Sequence, residues 1–225
     1  MNNLLLCKTR REAFTLVELL VVISIILIAS SIIFIGGTGG DGAKLSSSQR
    51  IVSGIAQGAR GQAILKNAKT RLIIYSEANA DKDPEKMLRY IGIIYADPED
   101  PDQQNPTSWI AATQGTYLPE GIYFNESLSS SNGWPRSTMP LDYPRLTPQT
   151  GGAEEYYYYE FNSNGTMDTD FSNAWLVLQA GVLKGNPLDV VFPTTDTEEG
   201  WNLKTALIFR RVGTTTPVND PGDID

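Results

Sequence analysis

AFTLVELLVVISIILIASSIIFIGG, residues 13–37, decides how the chain is organised. From Phe14 to Ile35 there are 22 residues, and Glu18 is the single charge among them. At 1.5 Å per residue a helix of that length reaches roughly 33 Å, against about 30 Å for the hydrocarbon core of a bilayer. An acid at mid-membrane costs about 2.5–3.5 kcal/mol, less near the interface, and such residues face a partner rather than lipid. Glu18 therefore demands a cation. Lys8, Arg10 and Arg11 precede the span, and their charge predicts a cytoplasmic amino end with everything after Gly36 outside.

Two plainer readings compete. A secretory signal has an apolar region of about 7–15 residues followed by a small-x-small site; this stretch is longer and holds an acid, although Ala29-Ser30-Ser31 could pass for such a site. A simple membrane anchor would let Glu18 snorkel to the headgroups, which is cheap near a helix end.

A short basic leader, a small residue, then FTLVEL and an unbroken apolar run resembles the processing site of type IV prepilins and type II secretion pseudopilins. The resemblance implies that prepilin peptidase cuts between Ala13 and Phe14 and methylates the new amine of Phe14. It also implies that Glu18 pairs with the amino terminus of a neighbouring subunit during assembly. The physics is consistent, since two charges each costly in lipid neutralise one another only when subunits stack. The family's usual residue before the cut is glycine; Ala13 is the mildest departure from it.

At 225 residues the chain has room for one membrane helix and one domain large enough to bury its own core. Cys7 is the only cysteine and there is no histidine. With Cys7 in the leader, no disulfide, thiol nucleophile, thiolate metal site, Ser-His pair or histidine ligand is expected in the processed chain. We expect no catalytic residues, no metal, no cofactor and no enzyme. Loss of residues 1–13 removes Lys8, Arg10, Arg11 and Glu12, a net +2, so the charge moves from −8 to −10 before the new amine is counted. Such acidity argues against broad nucleic-acid binding.

The domain plan is a leader at 1–13, a transmembrane half-helix at 14–35, a glycine-rich hinge at 36–42, and an exported domain at 43–225. GGTGGDG at 36–42 disfavours helix, because each Gly costs about 1 kcal/mol against Ala. Helical periodicity returns over 43–67, with Leu45, Val52, Ile55, Ala56, Ala59 and Ala63 on one stripe. Gly54, Gly58 and Gly61 on that helix suggest close backbone approach, so it is expected to pack on a sheet. A β-rich region follows over 70–212, with strands expected at 71–75, 90–96, 117–124, 156–161, 174–179, 188–192 and 205–211. Pro119 and Gly121 suit a turn at the edge of the third, and Asn164-Gly165 reads as a type I′ hairpin turn. Residues 213–225 read as an acidic tail.

Several features invite function. Residues 96–116 and 125–155 look unlike core: either solvated insertions or partner surfaces, with Trp109 and Trp134 as anchors. Alternation along Tyr156 to Tyr159 sends two rings to each face, so half are expected in packing. Asp168 and Asp170, or Asp220, Asp223 and Asp225, could approach calcium but lack an EF-hand's spacing, and are read as solvated turn acids. Adjacent acids, Glu154 and Glu155 or Glu198 and Glu199, point oppositely in a strand and make no acid-base pair. Arg60, Lys66, Lys69 and Arg71, or Lys204, Arg210 and Arg211, could form a basic strip for DNA.

The phrases ARGQAILKNAKTRLII at 59–74, LPEGIYF at 118–124 and FNSNGT at 161–166 resemble the H-type minor pseudopilins of type II secretion and the FimT-like minor pilins. That resemblance implies an α+β, pilin-like fold: a long N-terminal helix, transmembrane in its first half, packed on an antiparallel β-sheet or small β-sandwich. It implies a structural subunit of a secretion or pilus-like filament, anchored in the inner membrane with its C-terminal domain in the periplasm. The expected partners are other pseudopilins or pilins, prepilin peptidase, an inner-membrane assembly platform and membrane lipid. A DNA-uptake minor pilin is the alternative.

Overall fold

Alternation in β1 (Thr70–Tyr75) shows why this fold needs two covers. Leu72 and Ile74 point into one apolar cluster, Ile73 and Tyr75 into another, and all four are fully buried. β1 pairs antiparallel with β2 (Tyr90–Ala96) on one side and with β7 (Glu154–Phe161) on the other. The computed structural model of the protein describes residues 17, 19–23, 40–79, 82–131, 133–135, 137–185, 188–193 and 203–224. Two units are distinguished, one up to Gly40 and one from Asp41 onward.

The chain from Gly40 is α+β, with an antiparallel order as expected. Helix α1 (Gly40–Lys66) comes first. β1, β2 and β7 are joined by β3 (Trp109–Ala111), β4 (Thr116–Tyr117) and β6 (Thr138–Leu141) in a six-stranded sheet ordered β3-β2-β1-β7-β6, with β4 on β2. A second, four-stranded sheet is ordered β12-β11-β8-β5, from β5 (Ile122–Phe124), β8 (Trp175–Ala180), β11 (Lys204–Phe209) and β12 (Thr215–Val218). A ribbon of β9 (Val182–Gly185) and β10 (Leu188–Val191) completes the described strands.

The main core lies among α1 and the inner faces of both sheets. Leu45, Val52, Ala56, Ala59 and Ala63 of α1 join Leu72, Ile91, Phe124, Leu178 and Phe209 there. The alanines let the helix sit close to the strands. Of the three glycines, only Gly58 faces a neighbour, since an added Cβ would lie 3.3 Å from Ile93; Gly54 and Gly61 face open space. Close packing on the sheet therefore accounts for Gly58 alone. The expected hinge also shortens: Gly40, Asp41 and Gly42 are already helical, while residues 36–39 lie outside the described residues.

The second cluster covers the other face of the six-stranded sheet with Trp109, Met139, Leu141 and Tyr143, while Trp134 lies in the main core, so the two segments read as solvated insertions or partner surfaces supply core instead. Trp109 and Trp134 are 3% and 2% exposed, so neither is a surface anchor. Trp134 donates its indole N–H to the Tyr158 carbonyl at 3.1 Å and packs edge-on against Phe124 and Tyr157. Trp109 exchanges backbone hydrogen bonds with Gln149. Gln149 in turn pairs its amide with the backbone of Asp142, accepting from its N–H and donating to its carbonyl, both at 3.0 Å. Tyr143 drops onto the sheet above Gly92, where a Cβ would come within 2.3 Å of its ring. Glycine is required there because the ring occupies a side chain's place. A short helix α2 (Glu126–Ser131) occupies the start of the second segment.

Other differences have equally local causes. Asn164 is not left-handed; Gly165 alone is, at φ +79°. The Gly165 amide donates to the Asn162 carbonyl, and the Asn162 amide to the Thr166 carbonyl. That is a type I turn closed by a left-handed glycine bulge rather than a type I′ turn. The expected tail at 213–225 is instead strand β12 on the edge of the second sheet, followed by a turn that buries Ile224 against Val177 and Ala206. β-branched Thr215, Thr216 and Val218 supply that strand, which the flanking acids and proline conceal in sequence.

Residues 97–108 are ordered by the carboxylates of Asp97, Asp100 and Asp102, with Asp100 at the centre. Asp100 accepts from the Asp102, Thr107 and Ser108 amides and from the Thr107 hydroxyl. These bonds, the one from Asp102 foremost, hold its pKa below the ordinary 3.8. Because the folded value is depressed, this stabilisation is present above pH 3.8 and fades as pH falls through the lower folded value. Hydrogen exchange at Thr107 and Ser108 should accelerate there, and Asp100→Ala should show fast exchange at neutral pH. Trp134→Ala should cost about 3–5 kcal/mol in urea unfolding of the detergent-solubilised chain, the usual cost of removing a buried large aromatic.

Candidate functional site

Val17 and residues 19–23 are helical, and their side chains are exposed, from 71% at Val17 to 45% at Val22. Leu19, Leu20, Val21, Val22 and Ile23 follow one another, so at 100° per residue they point all round the helix axis. A helix apolar on every side is stable only against apolar surroundings, whether lipid or other helices. Ala13, Phe14 and Glu18, the expected cleavage, methylation and assembly residues, lie outside the described residues, as does most of the 14–35 span. Among the described residues no helix is long and apolar enough to cross a membrane.

On α1 the stripe opposite the core is unusual. Ser47, Gly54, Gly61 and Leu65 fall within about 40° of one another on the helix, and all are exposed, Leu65 by 75%. A surface helix ordinarily presents charged or long polar side chains on this face.

The basic residues expected to form a strip are dispersed or engaged. Lys69 and Arg71 alternate along the start of β1 toward Glu160 of β7, the cross-strand partner of Arg71. Lys69 Nζ lies 2.5 Å from Glu160 and 3.4 Å from Asp168, while Arg71 reaches the other Glu160 oxygen at 2.6 Å. The guanidinium is stacked between the rings of Trp109 and Tyr158, each centroid 4.0 Å away. Burial alone would lower the Lys69 pKa, but the hydrogen bond and charge of Glu160, aided by Asp168, hold it above its ordinary value. Arg60 donates to the Gly165 carbonyl and Arg210 to the Thr216 hydroxyl. Lys204 is buried.

The acids are likewise placed in structural roles. Asp168 pairs with Lys69 and accepts from the Asp170 amide at the start of a short turn. Asp220 accepts from the Gly222 amide. Glu154 receives the Tyr156 hydroxyl, whereas Glu155 faces away along the strand. Glu198, Glu199 and Asp225 lie outside the described residues. Among the described residues no group of His, Cys, Asp and Glu could hold a metal ion.

The tyrosine run divides as alternation requires. Tyr156 packs edge-on to Tyr75 in the outer cluster and Tyr159 stacks on Phe209 in the main core, both fully buried. Burial raises the phenols of Tyr75 and Tyr90 to about 12 and those of Tyr156 and Tyr159 upward as well, so all four stay neutral at ordinary pH. Sequence reasoning missed Glu160, the acid that gathers Lys69 and Arg71. Only the β1–β7 register reveals it.

Comparison with known proteins adds one match: the prokaryotic N-terminal methylation motif, over residues 8–34. No curated protein and no solved structure matches the chain. The matched segment contains Ala13, Phe14 and Glu18 together with the apolar helical residues 17 and 19–23. It supports a pilin-like family, with processing by prepilin peptidase, an N-terminal anchor of the type IV pilin kind, and assembly with other pilins.

Proposed function

We propose that this chain is a minor pseudopilin or pilin-like structural subunit. In this reading prepilin peptidase cuts between Ala13 and Phe14 and methylates Phe14. Residues 14–35 hold the chain in the inner membrane with its amino end cytoplasmic, and the domain from residue 43 onward lies in the periplasm. An assembly platform then draws it into a short filament for secretion. The role is mechanical and not enzymatic. The observation that carries the reading is the methylation motif over residues 8–34 with an acid inside an otherwise apolar run.

Glu18 is the assembly residue. A carboxylate four positions inside the processed chain is expensive in lipid until a neighbouring subunit offers its amine. The exposed glycine and leucine face of α1 supports a role in which the head also meets other subunits, since a bare helix face permits close approach of another chain. Within the pilin-like class, the H-type minor pseudopilins fit best through the phrases at 59–74, 118–124 and 161–166. The DNA-uptake reading has less support, because Lys69 and Arg71 are engaged by Glu160 and Asp168.

Glu18→Ala should insert and be cleaved normally yet fail to enter filaments, as read by cross-linking and by shearing assembled filaments from cells. Normal incorporation of that variant would sink the pairing role. Mass spectrometry of the membrane-extracted protein should find a methylated amino terminus at Phe14; a chain beginning at Met1 or beyond Ser31 would contradict the whole reading.

A further inference from the structure

The turn after β7 reads Asn164-Gly165-Thr166. An Asn-x-Ser/Thr triplet is an acceptor for N-linked saccharide when its middle residue is not proline and its asparagine stands on a surface loop of an exported chain. Three such triplets occur in the sequence, and the fold treats each differently. Asn105 is followed by Pro106, which disqualifies it. Asn125 is 5% exposed; its Nδ2 donates to Gln179 Oε1 at 2.7 Å and its Oδ1 accepts the Leu128 amide at 3.0 Å, so both ends of its side chain are engaged inside the domain. Asn164 is exposed on the turn.

The Asn164 side-chain amide is held by its oxygen. Oδ1 accepts from the Thr166 backbone N–H at 3.0 Å and from the Thr166 hydroxyl at 2.7 Å. Asn162 aims that hydroxyl, since its Nδ2 donates to the hydroxyl oxygen at 3.3 Å and leaves the hydroxyl proton for Asn164. Nδ2 of Asn164 has no hydrogen-bond partner among the described residues, so both its protons are free. The turn itself is pinned to α1: Arg60 Nε donates to the Gly165 carbonyl at 3.2 Å, and a Cβ on Gly165 would come within 2.8 Å of Ile64.

We propose that Asn164 is the acceptor of an N-linked saccharide and that Asn125 is not. The donor is a saccharide activated as a lipid-linked diphosphate, presented by a membrane glycosyltransferase on the side to which the domain is exported, a step that rests on the export reading above. Nδ2 of Asn164 bonds to C1 of the first sugar, and the C1–O bond to the diphosphate breaks. The diphosphate leaves with that electron pair, and one Nδ2 proton passes to a base of the transferase. Nothing is oxidised or reduced. An amide nitrogen is ordinarily a poor nucleophile, because its lone pair is shared with the carbonyl. Here the two hydrogen bonds to Oδ1, one of them at the end of the Asn162–Thr166 relay, draw charge onto that oxygen and ease removal of the Nδ2 proton. The hydroxyl bond is the one that only Ser or Thr supplies at the third position.

The test uses the native full chain, purified from membranes of the cell that makes it and digested with trypsin. Cleavage after Arg89, Arg136, Arg145 and Lys184 puts Asn125 on residues 90–136 and Asn164 on 146–184, so one spectrum reads both. The 146–184 peptide should carry a saccharide mass, localised to Asn164 by electron-transfer fragmentation, while 90–136 keeps its unmodified mass. Asn164→Gln and Thr166→Ala should each lose the saccharide, and Thr166→Ser should retain it. A native 146–184 peptide of unmodified or merely deamidated mass overturns the proposal, as does a saccharide on Asn125 in its place, and neither result needs a variant. A methylated Phe14 on a chain with bare Asn164 refutes the acceptor role alone. A saccharide at Asn164 on a chain that still begins at Met1 supports that role while refuting processing by prepilin peptidase.

Discussion

Strands β1 and β2 are buried on both faces, and this constraint shapes most of the chain. A sheet covered on both sides needs two sets of apolar neighbours. One set comes from α1 and the second sheet. The other comes from Trp109, Tyr143 and the segment leading to Gln149, laid over Ile73, Tyr75 and Tyr156. Long segments that look like insertions are thus the second wall of the sheet. Their prolines and polar residues turn the chain repeatedly while a few aromatics between them do the covering.

Legibility in the sequence followed from this arrangement. Strands with a continuous apolar run, such as LIIY and YIGIIY, announce themselves because both faces are buried. α1 is readable because its apolar stripe has one side only. The covering segment is opaque: Met139, Leu141 and Tyr143 stand among Pro140, Asp142 and Pro144, and no local period marks them as core. Register is opaque for a different reason, since pairing of residues 89 positions apart, such as Arg71 with Glu160, depends on the whole fold. Of the candidate site, the processing signal was legible outright because its chemistry is local: a basic leader, a small residue, and an acid in an apolar run. The Lys69–Glu160–Asp168 meeting was not, since it needs three stretches brought side by side.

The edges of the two sheets bear on association. β6 carries Pro140 and β12 carries Pro217, each on an outer strand. A proline there removes an N–H that another chain's strand could use, a common way to discourage edge-to-edge pairing. Arg145 and Gln149 further occupy the edge beside β3 by accepting from and exchanging with its backbone. Sheet extension is thereby a poor route for this domain to join another.

The amino-terminal segment has the opposite character. Residues 19–23 are apolar around the whole helix, so they have no face that water suits and no choice but to seek lipid or other helices. A chain that discourages strand pairing at β6 and β12 while residues 19–23 are apolar on every side keeps an adhesive surface on that segment. Such adhesion is non-directional, because apolar contact scales with area and not with geometry. Direction has to come from a charge. In the proposed subunit, an acid beside those apolar residues would be satisfied only when a partner's cation reached one particular depth, so Glu18 would convert a general affinity for apolar surroundings into a defined stagger between neighbours. On that proposal, the opposed costs of burying each charge would make the correct stagger the arrangement in which both are relieved.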